Sequence, residues 1–165
     1  MILRCTGKML SLLDPSMRRS VISVSPYEND WYANLLWFDR RKCMLLTHAG
    51  SLFSAFAADV RAADVRPIGR FAVSLVQQQL RAEELPADTF GLLDPEDVLI
   101  AKTADRSVLG CMNDMALACE CFVADSGGLL QSDITALNRM LRRHINSARG
   151  YVPPIELVRD GRRFS

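Results

Sequence analysis

The sequence predicts an α+β domain, with an antiparallel or mixed sheet that contains a strand meander and packs against three to four helices. Three observations lead to this class. Short β-rich segments fill the first third of the chain, the apolar period becomes helical at Ile68, and one further apolar strand then precedes two helices. From this order we expect the helices to lie on one face of the sheet.

The first sixty residues contain the predicted meander. Residues 1–8 have the pattern of a strand that starts the fold and lack the order of a signal peptide. Asp14-Pro15-Ser16 favours a short helix or a loop, and residues 20–24 favour a short strand. Residues 31–38 are apolar on both faces, which indicates a central strand with both faces covered, one of them by a second subunit or by the chain itself. Residues 43–48 and 52–57 follow as its antiparallel continuation.

The remaining elements are mostly helical. Apolar residues at helical spacing predict a helix over residues 68–84, and residues 98–103 predict a strand. A helix then begins after a cap at Asp105 or Ser107 and is stopped by Gly127-Gly128. Another begins near Ser132, with Arg139, Arg142 and Arg143 pointing outward. Pro153-Pro154 marks the start of an extended tail, so we predict one domain over residues 1–165 with a C-terminal tail from about residue 150.

Composition and charge limit the classes of function. The chain has 165 residues, 49% of them hydrophobic, and no apolar run near the length of a membrane-spanning helix. Five scattered cysteines predict reduced, buried thiols in the cytoplasm and no metal site. Residues 1–82 carry eleven basic and six acidic side chains, residues 83–125 two and ten, and residues 126–165 seven and three. This uneven distribution indicates either that the acidic segment pairs with the basic segments within the molecule, or that the segments form separate charged surface patches for different partners.

No standard catalytic signature is present. The sequence has no phosphate-binding glycine loop, no nucleophile elbow and no paired-cysteine metal motif, so it implies no cofactor. The two histidines, His48 and His144, are predicted to be ordinary surface or helix-end residues.

The first candidate site is the connection between two meander strands, Asp39-Arg40-Arg41-Lys42, with Asn34 nearby. It lacks the Asn-Gly or Gly-x pair of a tight hairpin, so we expect a four-residue loop around a type I turn, with the Asp39 carboxylate accepting backbone N–H bonds. Three adjacent cations can bind phosphates or an acidic partner, and they are equally what solubility would place on an exposed turn.

The second candidate site is the junction of a strand and a helix that contains Lys102, Arg106, Asn113 and Asp114. Free N–H groups at the helix start favour an anion, and Lys102 and Arg106 add charge. Two interpretations remain: an internal ion network around Asp114, or an anion pocket with walls from both clusters. The outward arginines of the last helix allow a third interpretation, either a solvated face or a nucleic-acid surface.

Two motifs also carry a family resemblance. They read W-x-A-N-L-x(4)-R-R-K-C from Trp31 and K-x(3)-R-S-V-L-G-x-M-N-D from Lys102. With the opening strand they resemble a bacterial family of small proteins of unknown function, over residues 1 to about 155. The resemblance implies no activity, cofactor or partner, but it implies that the two polar clusters are the marks of the family.

The sequence favours a non-enzymatic, cytosolic binding or regulatory module that uses the basic hairpin and the helix start for an anionic ligand or a protein partner, which includes a homo-oligomer. The first alternative is an enzyme acting on a phosphate-containing substrate, in the manner of a nuclease, with Asp39 and Asp114 as its carboxylates. The second is nucleic-acid binding through the C-terminal arginine helix. No membrane partner is expected.

Overall fold

A five-stranded mixed sheet forms the centre of the molecule in a computed structural model that describes residues 1–161. Within those residues the strands are β1 (Ile2–Cys5), β2 (Trp31–Phe38), β3 (Arg41–His48), β4 (Ser54–Ala57) and β5 (Leu99–Lys102). The α-helices in the same range are α1 (Gly7–Leu12), α2 (Pro15–Arg19), α3 (Ala62–Val65), α4 (Ile68–Ala82), α5 (Arg106–Asp125), α6 (Ile134–Leu141) and α7 (Pro154–Arg159). The predicted α+β class is thereby confirmed.

The order of strands across the sheet is β4-β3-β2-β1-β5. The predicted meander is the antiparallel run β2-β3-β4, in which Trp31 pairs with His48 and Thr47 pairs with Ser54. Strand β1 is parallel to both β2 and β5, so the chain must cross over between them. The sheet is therefore mixed, and the helices supply the crossovers that parallel pairs require.

Helices cover both faces of the sheet, whereas the sequence led us to expect them on one. Odd-numbered residues of β2 pack with Ile68, Leu75 and Val76 of α4 in one apolar cluster. Leu45 and Phe56 on the opposite face pack with Met115 of α5 and with α6 in a second cluster. The apolar residues on both sides of β2 are explained by this arrangement without any second subunit.

A buried ion pair joins β1 to the loop that precedes β2. Arg4 lies on β1 with 1% of its surface exposed, and its Nε donates to Asp30. Its guanidinium also donates to the carbonyls of Lys102, Val24 and Ser25. The short strand predicted over residues 20–24 is reduced to a single bridge between Ile22 and Ala101. The Arg4 side chain thus organises a loop that has little regular hydrogen bonding of its own.

Helix α5 begins and ends close to the residues that the sequence indicates. The Asp105 carboxylate caps it by accepting from Ser107 N and Val108 N. By length and composition α5 is the one helix of residues 1–161 that could cross a membrane. Its Met115 and Cys119 are fully buried against the sheet, which is the position of a core helix in a small soluble domain.

The C-terminal segment corrects an expectation. Instead of an extended tail, the residues after Pro153 form α7, which begins with Pro154 in its first turn, where a proline fits without losing a hydrogen bond. Ile155 and Val158 of α7 are buried in the same core as α4. Residues 162–165, the end of the predicted tail, lie outside the described residues.

Candidate functional site

The tip of the β2–β3 hairpin is a tight two-residue turn. Phe38 pairs directly with Arg41, and Asp39 and Arg40 between them have φ values of 49° and 63°. Two positive φ values are the pattern of a type I′ turn, which normally requires Asn-Gly or a similar pair. The expected four-residue type I loop was wrong, because the turn type follows the twist of the strands although Arg40 stands where glycine is preferred, and aspartate suits the first position.

The Asp39 side chain is held by a distant part of the chain. Its Oδ2 accepts from Leu129 N at 2.6 Å, in the 3₁₀ turn that follows α5. Gly128 makes this approach possible, because it has φ 119° and ψ 168°, and a Cβ added there would lie 2.9 Å from Asp39 Oδ2. The tip is therefore anchored to the end of α5 by a charged hydrogen bond.

The cations of the tip differ in their surroundings. Arg41 forms an ion pair with Asp59 at 2.6 Å, on the connection between β4 and α3. Lys42 Nζ lies 4.9 Å from the centre of the Trp37 ring, and 52% of the Trp37 surface is exposed. Arg40 at the outermost position is exposed. We define the tip surface as Trp37, Arg40, Arg41 and Lys42.

Asn34 lies in the interior of β2, four pairs before the turn, and not at the tip. It is half-buried, and its Oδ1 accepts a hydrogen bond from Thr6 Oγ1 at 3.0 Å. Thr6 is at the same time the cap of α1. Asn34 thus joins the central strand β2 to the start of α1, and this hydrogen bond belongs to the fold and not to the hairpin tip.

The second cluster lies at the other end of α5. Lys102 ends β5 and Arg106 is the first residue of α5, and both are exposed. The free N–H groups expected to attract an anion are already occupied, since Ser107 N and Val108 N donate to the Asp105 carboxylate and Leu109 N to its carbonyl. The helix start therefore offers an external anion little beyond the two side-chain charges.

The two clusters do not form one pocket. Helix α5 has twenty residues and is therefore about 30 Å long, with Arg106 at its start and the Asp39 contact just beyond its end. Asn113 and Asp114 are exposed on its surface, and Asp114 lies about 16 Å along the axis from the last residue, Asp125. The carboxylates of Asp39 and Asp114 cannot act on one substrate atom.

The C-terminal arginines mostly bind the protein itself. Arg142 was expected to point outward, but only 1% of its surface is exposed. It donates to Glu83 Oε1 at 2.9 Å and to Gln79 Oε1 at 2.7 Å, and Arg143 donates to both oxygens of Glu83. Hydrogen bonds from Arg143, followed by those from Arg142, lower the pKa of Glu83 to about 2 against the opposing effect of burial.

His48 is buried, which corrects its assignment as a surface residue. It lies at the end of β3 with its Nδ1 3.0 Å from Ser51 Oγ, and its ring packs against those of Trp31 and Phe90. Burial, followed by the nearby charge of Arg149, lowers the pKa of His48 to about 3. The imidazole is therefore neutral at physiological pH.

Four of the five cysteines are buried, as their interpretation as small core residues predicts, and Cys121 is exposed. Burial raises the pKa of Cys5 and of Cys119 to about 12, which keeps these thiols protonated. Within residues 1–161, no group of three or more His, Cys, Asp or Glu side chains is arranged to hold a metal ion.

A groove beside the tip surface was not foreseen from the sequence. It lies between α4 and the connection from β4 to α3, and its volume is about 540 Å³. Asp59 and Val60 line it, and they are bonded to the hairpin through Arg41 and through a Val60 N to Lys42 O hydrogen bond of 2.8 Å. The walls of the groove come from segments that are far apart in the sequence. Trp37, an exposed residue of the neighbouring tip surface, was assigned to the core pattern of β2. The sequence therefore gave no signal for this concave surface.

Comparison with known proteins gives one match. A family model described as "Domain of unknown function (DUF6933)" matches residues 2–157. No curated protein and no solved structure matches the chain.

Proposed function

Since this chain belongs to the DUF6933 family, whose function is unknown, we propose from its own geometry that it is a non-enzymatic binding module. Its tip surface recognises an acidic segment of a partner protein. The observation that carries the proposal is the exposed basic turn held in a left-handed backbone conformation by a contact 90 residues away in sequence.

Backbone strain at the tip supports a role beyond solubility. A non-glycine residue in the left-handed region costs about 1–2 kcal/mol, and the turn has two, Asp39 and Arg40. Aspartate tolerates this region, so the strain falls mainly on Arg40. An Asn-Gly pair would form the same turn at lower cost. Strained residues persist where the surrounding structure holds them, and they concentrate at binding and active sites.

The chemistry of the tip surface suits a protein partner. Tryptophan and arginine are the residues that most often dominate the energy of protein interfaces. Here Trp37 is half-exposed beside Lys42, and Arg40 is exposed at the outermost position. The lysine and arginine charges attract acidic side chains, while the indole ring provides apolar area that is already ordered.

The competing functions lose support from the same geometry. The enzyme hypothesis needs Asp39 and Asp114 near each other, and α5 separates them. The nucleic-acid hypothesis needs a free arginine face, but Arg142 is buried on Glu83, and Arg149 donates to the carbonyls of Ala49 and Gly50. For the compartment, we propose the cytoplasm, because reduced thiols such as the exposed Cys121 are compatible with reducing conditions.

The test is the binding of a fluorescein-labelled peptide of eight glutamates, measured by anisotropy at low ionic strength. Arg40→Gly removes one charge of the tip and also suits the left-handed backbone, so the protein is expected to keep its stability. We expect this variant, and Lys42→Gln, to weaken binding about three- to tenfold. Raising the salt concentration should weaken it further.

The matched control is Arg19→Gln, which removes one exposed charge from α2, away from the tip. It should bind within twofold of the native chain, a limit of roughly 0.4 kcal/mol. Equal losses from Arg19→Gln and Arg40→Gly would mean that only net charge matters, and the proposal would then be wrong. Tighter binding of an eight-nucleotide thymidine strand through the same residues would replace the protein partner by nucleic acid.

A further inference from the structure

The groove next to the tip surface has an apolar floor and a polar rim. Ala57, Val60, Phe71 and Leu75 contribute the apolar surface, and Ser74 and Gln78 of α4 are exposed beside it. Its volume of about 540 Å³ is within the range of pockets that accept drug-sized molecules or large side chains. The groove can therefore bury an apolar side chain supplied from outside.

The groove and the tip surface form one continuous surface. Arg41 and Lys42 of the hairpin are bonded to Asp59 and Val60, which line the groove. The backbone of Lys42 is thus hydrogen-bonded to the groove wall, and its side chain lies over Trp37 on the neighbouring strand. A single extended segment of a few residues can occupy both, because each residue advances roughly 3.3 Å.

The charges around this continuous surface are unbalanced toward positive. Of its acidic groups, Asp59 pairs with Arg41, Asp64 with Arg61 and Glu96 with Arg70, while the Asp39 carboxylate accepts from Leu129 N in the turn that follows α5. Within residues 1–161, no ion pair engages the two remaining cations of the hairpin, Arg40 and Lys42. A partner segment must therefore bring negative charge to the tip and an apolar group to the groove.

We propose that the groove between α4 and residues 57–60 binds a large apolar side chain of the acidic partner segment, so that the module recognises an acidic peptide with an embedded aromatic or aliphatic residue. This inference rests on the proposed function for the acidic part of the ligand. The apolar side chain adds sequence selectivity, since charge alone would accept any acidic surface.

Two labelled peptides test the inference: the eight-glutamate peptide, and the same peptide with a phenylalanine at its fourth position. The native chain should bind the phenylalanine peptide at least about tenfold more tightly, as expected for burial of one large apolar side chain. Ser74→Trp and Gln78→Trp place an indole in the groove from its rim and should abolish this preference, while leaving the affinity for the glutamate peptide unchanged.

The matched control is Ala82→Trp, which adds the same side chain at an exposed position at the end of α4, outside the groove. It should keep the full preference. Equal affinity of the native chain for the two peptides would overturn the inference, as would a preference that survives in both groove variants. If the groove variants abolish the preference but Arg40→Gly changes the affinity for neither peptide, the inference about the groove stands and the proposed function of the tip is overturned. Failure of both peptides to bind would overturn both.

Discussion

At the residue scale, the contact between Asp39 and Gly128 determines how the hairpin tip is held. The Asp39 carboxylate accepts from the backbone of Leu129, and Gly128 lies too close for any side chain. Its φ and ψ, 119° and 168°, fall in a region that only glycine occupies without strain. The glycine pair that was predicted to stop a helix thus has a second role, because it admits the aspartate.

Gly128→Ala is predicted to lower the free energy of unfolding by about 2–3 kcal/mol, from backbone strain and from displacement of the Asp39 carboxylate. Urea denaturation measures this change. Gly110→Ala is the matched control, because Gly110 lies within α5 with open space around its Cα. That variant should instead gain roughly 0.5–1 kcal/mol from helix propensity. A loss for Gly128→Ala no larger than 0.5 kcal/mol, roughly the scatter of neutral surface changes, would contradict the role assigned to the contact.

Asp39 illustrates what could be predicted at this scale. Its residue type indicates a carboxylate that accepts backbone N–H bonds at a turn, and it does accept one. The donor belongs to residue 129 and not to the turn itself. Local preferences give the kind of bond a side chain makes, but a partner 90 residues away is set by the packing of β2 against α5.

At the element scale, α6 fastens the sheet to the helices through two polar side chains. The Asn138 amide accepts from Phe56 N at 2.7 Å and donates to Phe56 O at 2.9 Å. It therefore takes the place of a neighbouring strand at the β4 edge and protects that edge from pairing with another chain. One turn later, Arg142 reaches Glu83 at the end of α4.

Arg142→Met is predicted to lower the free energy of unfolding by about 1–3 kcal/mol, because Glu83 keeps Arg143 but loses one of its two buried hydrogen-bonded partners, and Gln79 is left without its donor. Arg139→Met is the matched control on the same helix. Arg139 is exposed, so its replacement should change stability by no more than about 0.5 kcal/mol. If the two variants lost equal stability in urea denaturation, Arg142 would be a solvated residue and the network would have no structural role.

The predicted direction of the α6 side chains was only partly right for a physical reason. Leu137 and Leu141 are buried, as their spacing indicates, and Arg139 is exposed. Arg142 follows Leu141 and was assigned to the outer face because isolated arginines are rarely buried. The buried carboxylate of Glu83, 59 residues earlier, makes burial of Arg142 favourable. Helical periodicity contains no information about such a distant partner.

At the scale of the whole molecule, the uneven charge distribution is partly internal. The acidic central segment supplies Glu83 and Glu96, which pair with Arg142 of the C-terminal segment and with Arg70 of the N-terminal segment. This favours the interpretation as intramolecular complementarity. The cations of the tip surface that have no such pair are the ones that the proposed function uses.

Stability is predicted to fall with acidification in two stages. His48 has a pKa of about 3 in the folded state against 6.5 for the free side chain, so the unfolded state binds one more proton between these values. Unfolding therefore becomes easier as the pH falls below about 6.5, by up to about 1.4 kcal/mol per pH unit. Glu83, with a folded pKa of about 2 against 4.5, adds a second stage below about pH 4.5.

Urea denaturation between pH 8 and pH 3.5 measures both stages. His48→Gln should remove the dependence between about pH 6.5 and 4.5, while His144→Gln, which changes the other histidine, should retain it. Glu83→Gln should reduce the slope below about pH 4.5. A flat profile for the native chain between about pH 7 and 5 would show that His48 is protonated as easily in the folded state as in the unfolded state.

Local sequence pattern was sufficient to predict the α+β class of this protein and its longest strands and helices. Apolar periodicity identified the meander and the long helices α4 and α5, and residue type limited the cap of α5 to Asp105 or Ser107, because these depend on residues close together in the chain. The tertiary structure alone decided which face each helix covers, that Arg142 and His48 are buried, and that the two polar clusters lie at opposite ends of α5. It also decided that a groove adjoins the tip. Each of these features depends on contacts between residues far apart in sequence. The energy of those contacts comes from packing and from the desolvation of charged groups, and the local sequence pattern contains no information about either.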